Sequence, residues 1–147
     1  MFRNILVPTD GSALSRKAIK GAVRLAKEQK ARVTALFVSP SYNPRVSDDS
    51  AVAHFLSPRD YDVRARAIAQ KNLKPVEKAA AAAGVSCDAM HAYNDFPYEE
   101  IVRAARRGKC DLIFMASHGR RGISRLLLGS ETSKVLAHSK IPVLVVR

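Results

Sequence analysis

Two apolar runs, Ile5-Leu6-Val7-Pro8 and Arg32-Val33-Thr34-Ala35-Leu36-Phe37-Val38, flank a segment of helical period, and this spacing restricts the fold more than anything else in the chain. Each run has strand length and stops at turn-forming residues, Thr9-Asp10-Gly11 after the first and Ser39-Pro40 after the second. Between them Leu14, Ala18, Ala22, Leu25 and Ala26 recur on one face of a helix, with Ser12 placed to cap its N-terminus. A strand, a helix and a strand in this order make a βαβ unit, which means parallel strands joined by a right-handed crossover.

The pattern continues down the chain. Residues 39–58 contain Pro40, Pro44, Pro58 and the pair Asp48-Asp49 without a sustained period, and read as a long mobile loop, either a lid or disordered. A helix is expected from Arg59 to Ala83, with Pro75 kinking it or dividing it in two and Gly84 stopping it. Val85 to Tyr93 is the third strand. Asn94-Asp95 and Pro97 open a helix with Glu99 and Glu100 in its first turn and Arg106 and Arg107 in its last, a charge order that complements the helix dipole. Asp111 to Met115 is the fourth strand, Ser130 caps a helix reaching about Ser139, and Ile141 to Val146 is the last strand. Five strands alternating with about four helices predict an α/β three-layer sandwich, a parallel sheet covered on both faces, in one domain over 1–147.

Open parallel sheets bind ligands beyond the carboxyl ends of their strands, where the strand order switches. Here the ends at Pro8-Thr9-Asp10, Val38-Ser39 and Met115-Ala116 fall at one edge of the sheet. Into that edge runs A-S-H-G-R-R-G-I-S-R-L-L-L-G-S, Ala116 to Ser130. Glycine lets the backbone approach a ligand closely, and Gly129-Ser130 precedes a helix whose first N–H groups suit an anion. Arg120, Arg121 and Arg125 add positive potential. On spacing alone, a phosphate site and an ordinary strand-to-helix loop with a serine cap are both open. Asp10 likewise fits either a ligand contact (ribose hydroxyl, purine amine or metal) or an Asx turn before Gly11.

Other chemistry finds little support. G-x-x-x-x-G-K-[ST] and G-x-G-x-x-G are absent, which argues against a P-loop ATPase and an NAD-linked dehydrogenase. His118 has no evident Ser, Cys or acid partner, and no catalytic triad, carboxylate pair or metal-ligand spacing emerges, so no catalytic and no metal-ligating residue is assigned. Any nucleotide hydrolysis is expected to be slow. The 25 Lys and Arg against 13 Asp and Glu give a net charge of +12, but the cations spread along helical faces without interleaved aromatics, so nucleic acid is not an expected partner. No run approaches the roughly 20 apolar residues of a membrane span, the first apolar run breaks too early for a signal peptide, and the two unclustered cysteines, Cys87 and Cys110, suit a reducing compartment. A cytoplasmic protein without a membrane partner is expected.

Three segments together resemble the universal stress protein family along the whole chain: I-L-V-P-T-D-G-S at 5–12, the stretch 116–130, and S-K-I-P-V-L-V-V at 139–146. The second is similar to the family's ATP-binding signature G-x2-G-x9-G-[ST], with Ala116 in place of the first glycine, then Gly119 and Gly129-Ser130. The resemblance implies strand order 3-2-1-4-5, the adenine nucleotide alpha hydrolase-like arrangement. It implies ATP as the ligand, with any Mg2+ or Mn2+ held mainly by the phosphates. Pro8, Thr9, Asp10, Val38, Met115, Ala116 and His118 would surround adenine and ribose. Gly119, Arg120, Gly129, Ser130, Glu131 and Thr132 would hold the phosphates. It further implies a homodimer through Ile141 to Val146 and an ATP-binding stress-response role in which nucleotide state tunes contact with an unknown protein partner. The alternative is a nucleotide-free dimeric interaction module of the same fold. A bulky Gly129→Val is expected to block phosphate approach while sparing the core.

Overall fold

The computed structural model describes residues 1–43, 57–119 and 128–147. Most of the 39–58 loop, with its lid reading, and Arg120, Arg121 and Arg125 lie outside the described residues. The elements run β1 (Asn4–Pro8), α1 (Ala13–Gln29), β2 (Arg32–Ser39), α2 (Pro58–Ala83), β3 (Cys87–Tyr93), α3 (Pro97–Arg107), β4 (Leu112–Ala116), α4 (Ser130–His138) and β5 (Val143–Val146). They form one five-stranded sheet of order β3-β2-β1-β4-β5, with every pairing parallel. The strand order predicted from the family resemblance is the one observed.

Side chains alternate across a strand, and β1 shows why its run is apolar throughout. Ile5 and Val7 enter one core with Val33, Ala35, Phe37 and Phe114, covered by Ile19, Ala22 and Val23 of α1 and Leu73 and Val76 of α2. Leu6 enters the other core with Leu36, Ile113 and Met115, covered by Ile101 and Ala104 of α3 and Val135 of α4. Ile5, Leu6 and Ile113 are fully buried, each contributing about 1.5–3 kcal/mol.

Several boundaries differ from expectation for local reasons. Pro75 does not divide α2, which is one helix from Pro58 to Ala83. The proline is exposed while its neighbours Leu73 and Val76 are buried, so packing holds the helix together across the lost hydrogen bond. Ser57 caps α2, its hydroxyl accepting from Asp60 N at 3.1 Å. β3 begins at Cys87, because Val85 N is taken by Ala80 O in the turn that follows Gly84, whose φ is 70°. β5 begins at Val143: Pro142 has no N–H to give, although its carbonyl accepts from Ile113 N. Ser130 is not the cap of α4 but its first residue; Gly129 is the N-cap and no side chain caps the turn.

Candidate functional site

The switch in strand order lies between β1 and β4, and the loops leaving their carboxyl ends meet there. After β1, Thr9 N continues the ladder to Leu36 O at 2.9 Å, and Thr9 Oγ1 pairs with buried Ser15 Oγ at 2.7 Å. Asp10 Oδ1 accepts from Ser12 N at 2.9 Å, the Asx turn, and Ser12 Oγ accepts from Ser15 N at 3.1 Å to cap α1. The turn needs Gly11, whose φ of 79° is costly for other residues.

After β4 the chain leaves and returns at nearly the same point. Ser117 N donates to Val146 O at 2.8 Å, Gly129 N donates to Ser117 O at 2.7 Å, and Thr132 Oγ1 donates to Ala116 O at 3.0 Å. The first extends the pairing of β4 with β5, and the other two set the start of α4 against the end of β4. They also require Gly129, since a Cβ there would lie 3.0 Å from His118 Cα and 3.2 Å from Ser117 O. Gly129→Val therefore disturbs the protein's own backbone, contrary to the expectation of a clean steric block. A Cβ on Gly119 would lie 2.2 Å from Asp10 Oδ2, so this glycine makes room for the Asp10 carboxylate across the switch point. Ala116 closes β4 without a positive φ, so the alanine adopts no conformation that demands glycine.

Between these loops lies a cavity of about 560 Å3. Every predicted site residue except Arg120 borders it: Pro8, Thr9, Asp10, Val38, Met115, Ala116, His118, Gly119, Gly129, Ser130, Glu131 and Thr132. Arg120 lies outside the described residues. One wall was missed from sequence, namely Pro40 with Asn94, Asp95, Pro97 and Ile101 from the end of β3 and the start of α3. Asn94, Asp95 and Pro97 open α3 and border the cavity at once, and a helix-start pattern in sequence signals only the first of these. The wall is held by Asn94 N donating to Ser39 O at 2.9 Å and Ser41 N donating to Asp95 Oδ1 at 2.9 Å.

Among the described residues the lining offers several groups suited to holding a ligand. The first N–H groups of α4 have no intrahelical acceptor and no side-chain cap, and they carry the positive end of the helix dipole. Pro8, Val38, Met115 and Ile101 supply apolar surface, and Asp10 supplies a carboxylate. His118 Nδ1 sits 3.1 Å from the hydroxyl of its neighbour Ser117. Burial raises both thiols, Cys87 and Cys110, above their ordinary pKa, the reverse of an activated nucleophile. Among the described residues no group of three or more His, Cys, Asp or Glu could hold a metal, and no helix is long and apolar enough to cross a membrane.

The family model described as "Universal stress protein family" matches residues 1–147. Universal stress protein YxiE of Bacillus subtilis is 34% identical over 151 residues, covering 100% of this chain and 100% of that protein. The structure of protein MJ0577 of Methanocaldococcus jannaschii superposes with a TM-score of 0.83 at 28% identity, over 99% of this chain and 96% of that one. A universal stress protein solved in complex with cAMP superposes with a TM-score of 0.69 at 26% identity, over 99% of this chain and 97% of its own.

Proposed function

The chain belongs to the universal stress protein family, and we propose that its β1/β4 crevice binds an adenine nucleotide, ATP foremost, whose presence tunes contact with a protein partner. The observation that carries this reading is the pairing of an uncapped helix N-terminus with an apolar wall in one cavity, the two needs of a phosphate tail and a base. The residues present fit such a group. Pro8, Thr9, Val38, Met115, Ala116 and His118 would enclose the base and sugar, with the Asp10 carboxylate accepting from a ribose hydroxyl. Gly119, Ser130, Glu131 and Thr132 would hold the phosphates through backbone N–H groups, since the Thr132 hydroxyl and the Glu131 carboxylate already have partners within the protein; Gly129, whose own N–H is given to Ser117 O, would border the phosphates and set the start of α4 beside them. Arg120 belongs to the same proposal. The relative in complex with cAMP supports the class of ligand.

ATP would supply the anionic charge that the start of α4 is built to accept, and any Mg2+ or Mn2+ would be carried mainly by its phosphates. Any hydrolysis is expected to be slow, and we read the protein as a binding module. The absence of a positive φ at Ala116 supports the nucleotide-binding reading over the nucleotide-free alternative.

The test is mass analysis of nucleotide released from freshly purified protein, paired with thermal unfolding in ATP, cAMP and adenosine. ATP at about a hundred times its Kd stabilises a folded chain by about 2.7 kcal/mol, or roughly 5–10 °C at this size. Protein that carries no adenine nucleotide and does not shift in millimolar ATP overturns the reading.

A further inference from the structure

We propose that Glu131 is a positioning residue: its carboxylate docks the first turn of α4 onto the start of α3 and thereby holds the N–H groups of that turn in place for phosphate. The inference rests on the nucleotide-binding reading and refines the part Glu131 plays in it.

The start of α3 cannot satisfy itself. Its N-cap, Phe96, makes no side-chain cap bond, Pro97 has no N–H, and Glu99 N turns back to Phe96 O at 3.1 Å. Tyr98 N donates instead to Glu131 Oε2 at 2.8 Å, so an acid on one helix caps another. Lys134 Nζ lies 3.4 Å from Glu131 Oε1 and 5.4 Å from the centre of the Tyr98 ring, and the His138 ring lies 5.1 Å from that ring. Residues 131, 134 and 138 share one face of α4, and all three meet Tyr98 or its backbone.

α4 needs this contact. It has nine residues, too few to persist as a helix unaided, and it buries only Thr132 and Val135. Three hydrogen bonds orient its first turn: Gly129 N to Ser117 O and Thr132 Oγ1 to Ala116 O, both toward β4, and Tyr98 N to Glu131 Oε2, from α3. The two toward β4 lie on one side of the turn, so without the third it can rock about them and its N–H groups lose their common aim. The bond from Tyr98 also joins the phosphate end of the cavity to the Asn94–Pro97 wall, because Tyr98 follows directly from that wall.

The sign of the effect separates positioning from simple charge. A carboxylate beside a phosphate site repels it, so by Coulomb's law alone removing Glu131 strengthens ATP binding. Positioning predicts the reverse for Glu131→Ala and recovery for Glu131→Gln, which keeps an acceptor for Tyr98 N–H without the charge. Isothermal titration with ATP and with adenosine reads both. The expected result is that E131A weakens ATP about tenfold while adenosine stays within about twofold, and that E131Q binds ATP at least as well as the parent. Adenosine binding by E131A shows that it is folded. An E131A protein that binds ATP as tightly as the parent, or more tightly, overturns the inference and leaves the nucleotide reading intact. So does an equal loss for ATP and adenosine, or an E131Q protein as impaired as E131A. A parent that binds neither ligand overturns both.

Discussion

Asp10 and Gly119 face each other across the switch point, and their contact turns a familiar glycine into a specific requirement. Gly119 would be expected to admit a phosphate, yet the atom nearest its absent Cβ is the carboxylate oxygen of Asp10, at 2.2 Å. A methyl group there pushes aside the end of a flexible side chain, so the fold survives with a loss below about 1 kcal/mol, but Asp10 leaves its place beside Ser12 N. Gly119→Ala should therefore weaken adenosine and ATP alike, by about tenfold or more, since a hydrogen bond to a charged group contributes about 1.5–3 kcal/mol. Titration calorimetry checks this, and unchanged adenosine affinity would place Asp10 outside the ligand's reach. Gly129 behaves differently, because its neighbour is the backbone of His118, and overpacking there costs the fold itself roughly 1–3 kcal/mol. Two glycines of one sequence signature thus have different physical reasons, and neither reason is visible in their spacing.

At the scale of elements, the start of α2 is pinned to the ends of β2 and β3 by a polar and aromatic cluster beside the cavity. Tyr93 OH donates to Asp62 Oδ1, Arg66 Nε donates to Asp62 Oδ2 at 2.8 Å, and His91 Nε2 pairs with Ser39 Oγ at 2.8 Å. The His91 ring lies 4.6 Å from that of Tyr93. Burial first, and Arg66 second, lower the pKa of His91 against the pull of Asp62, while the Tyr93 hydrogen bond and then Arg66 lower that of Asp62. For both groups the unfolded chain takes up protons that the folded chain resists, so stability rises with pH. Stability from His91 is complete above about pH 6.5 and falls as pH drops through that value toward its lower native pKa; the loss from Asp62 begins below about pH 4. Thermal melts from pH 7.5 to 5 should show Tm falling in the parent and a flatter profile in His91→Asn, which keeps a hydrogen-bonding group but does not titrate. Equal slopes would remove His91 as the cause. Element type was legible throughout the described chain because the periods are strong, whereas the ends of α4, β3 and β5 were not. Those ends depend on which N–H finds which carbonyl, as Pro142 and Gly129 show.

For the whole molecule, the sheet order leaves β3 and β5 at the edges, and β5 is short and apolar with Leu144 38% exposed. An unpaired apolar edge invites a second strand, and a second copy of β5 is the partner that the family resemblance suggested. Sedimentation at micromolar concentration should give twice the monomer mass, and Leu144→Lys, placing a charge on that strand, should give the monomer; a parent that sediments as a monomer overturns the dimer that the resemblance implies. The larger architecture was determined by sequence alone. Strand-length apolar runs separated by amphipathic helices must form parallel βαβ units, and parallel units put all carboxyl ends, and so Asp10, Val38 and Ala116, at one edge. Which side chains then touch was decided only in the tertiary structure. The carboxylate of Asp10 beneath Gly119, the cap that Glu131 provides for Tyr98, and the wall at Asn94 to Pro97 all join segments distant in the chain. Periodicity fixes which face of an element is buried, but it carries no information about the one atom on a neighbouring element that will satisfy a donor or fill the space a glycine leaves.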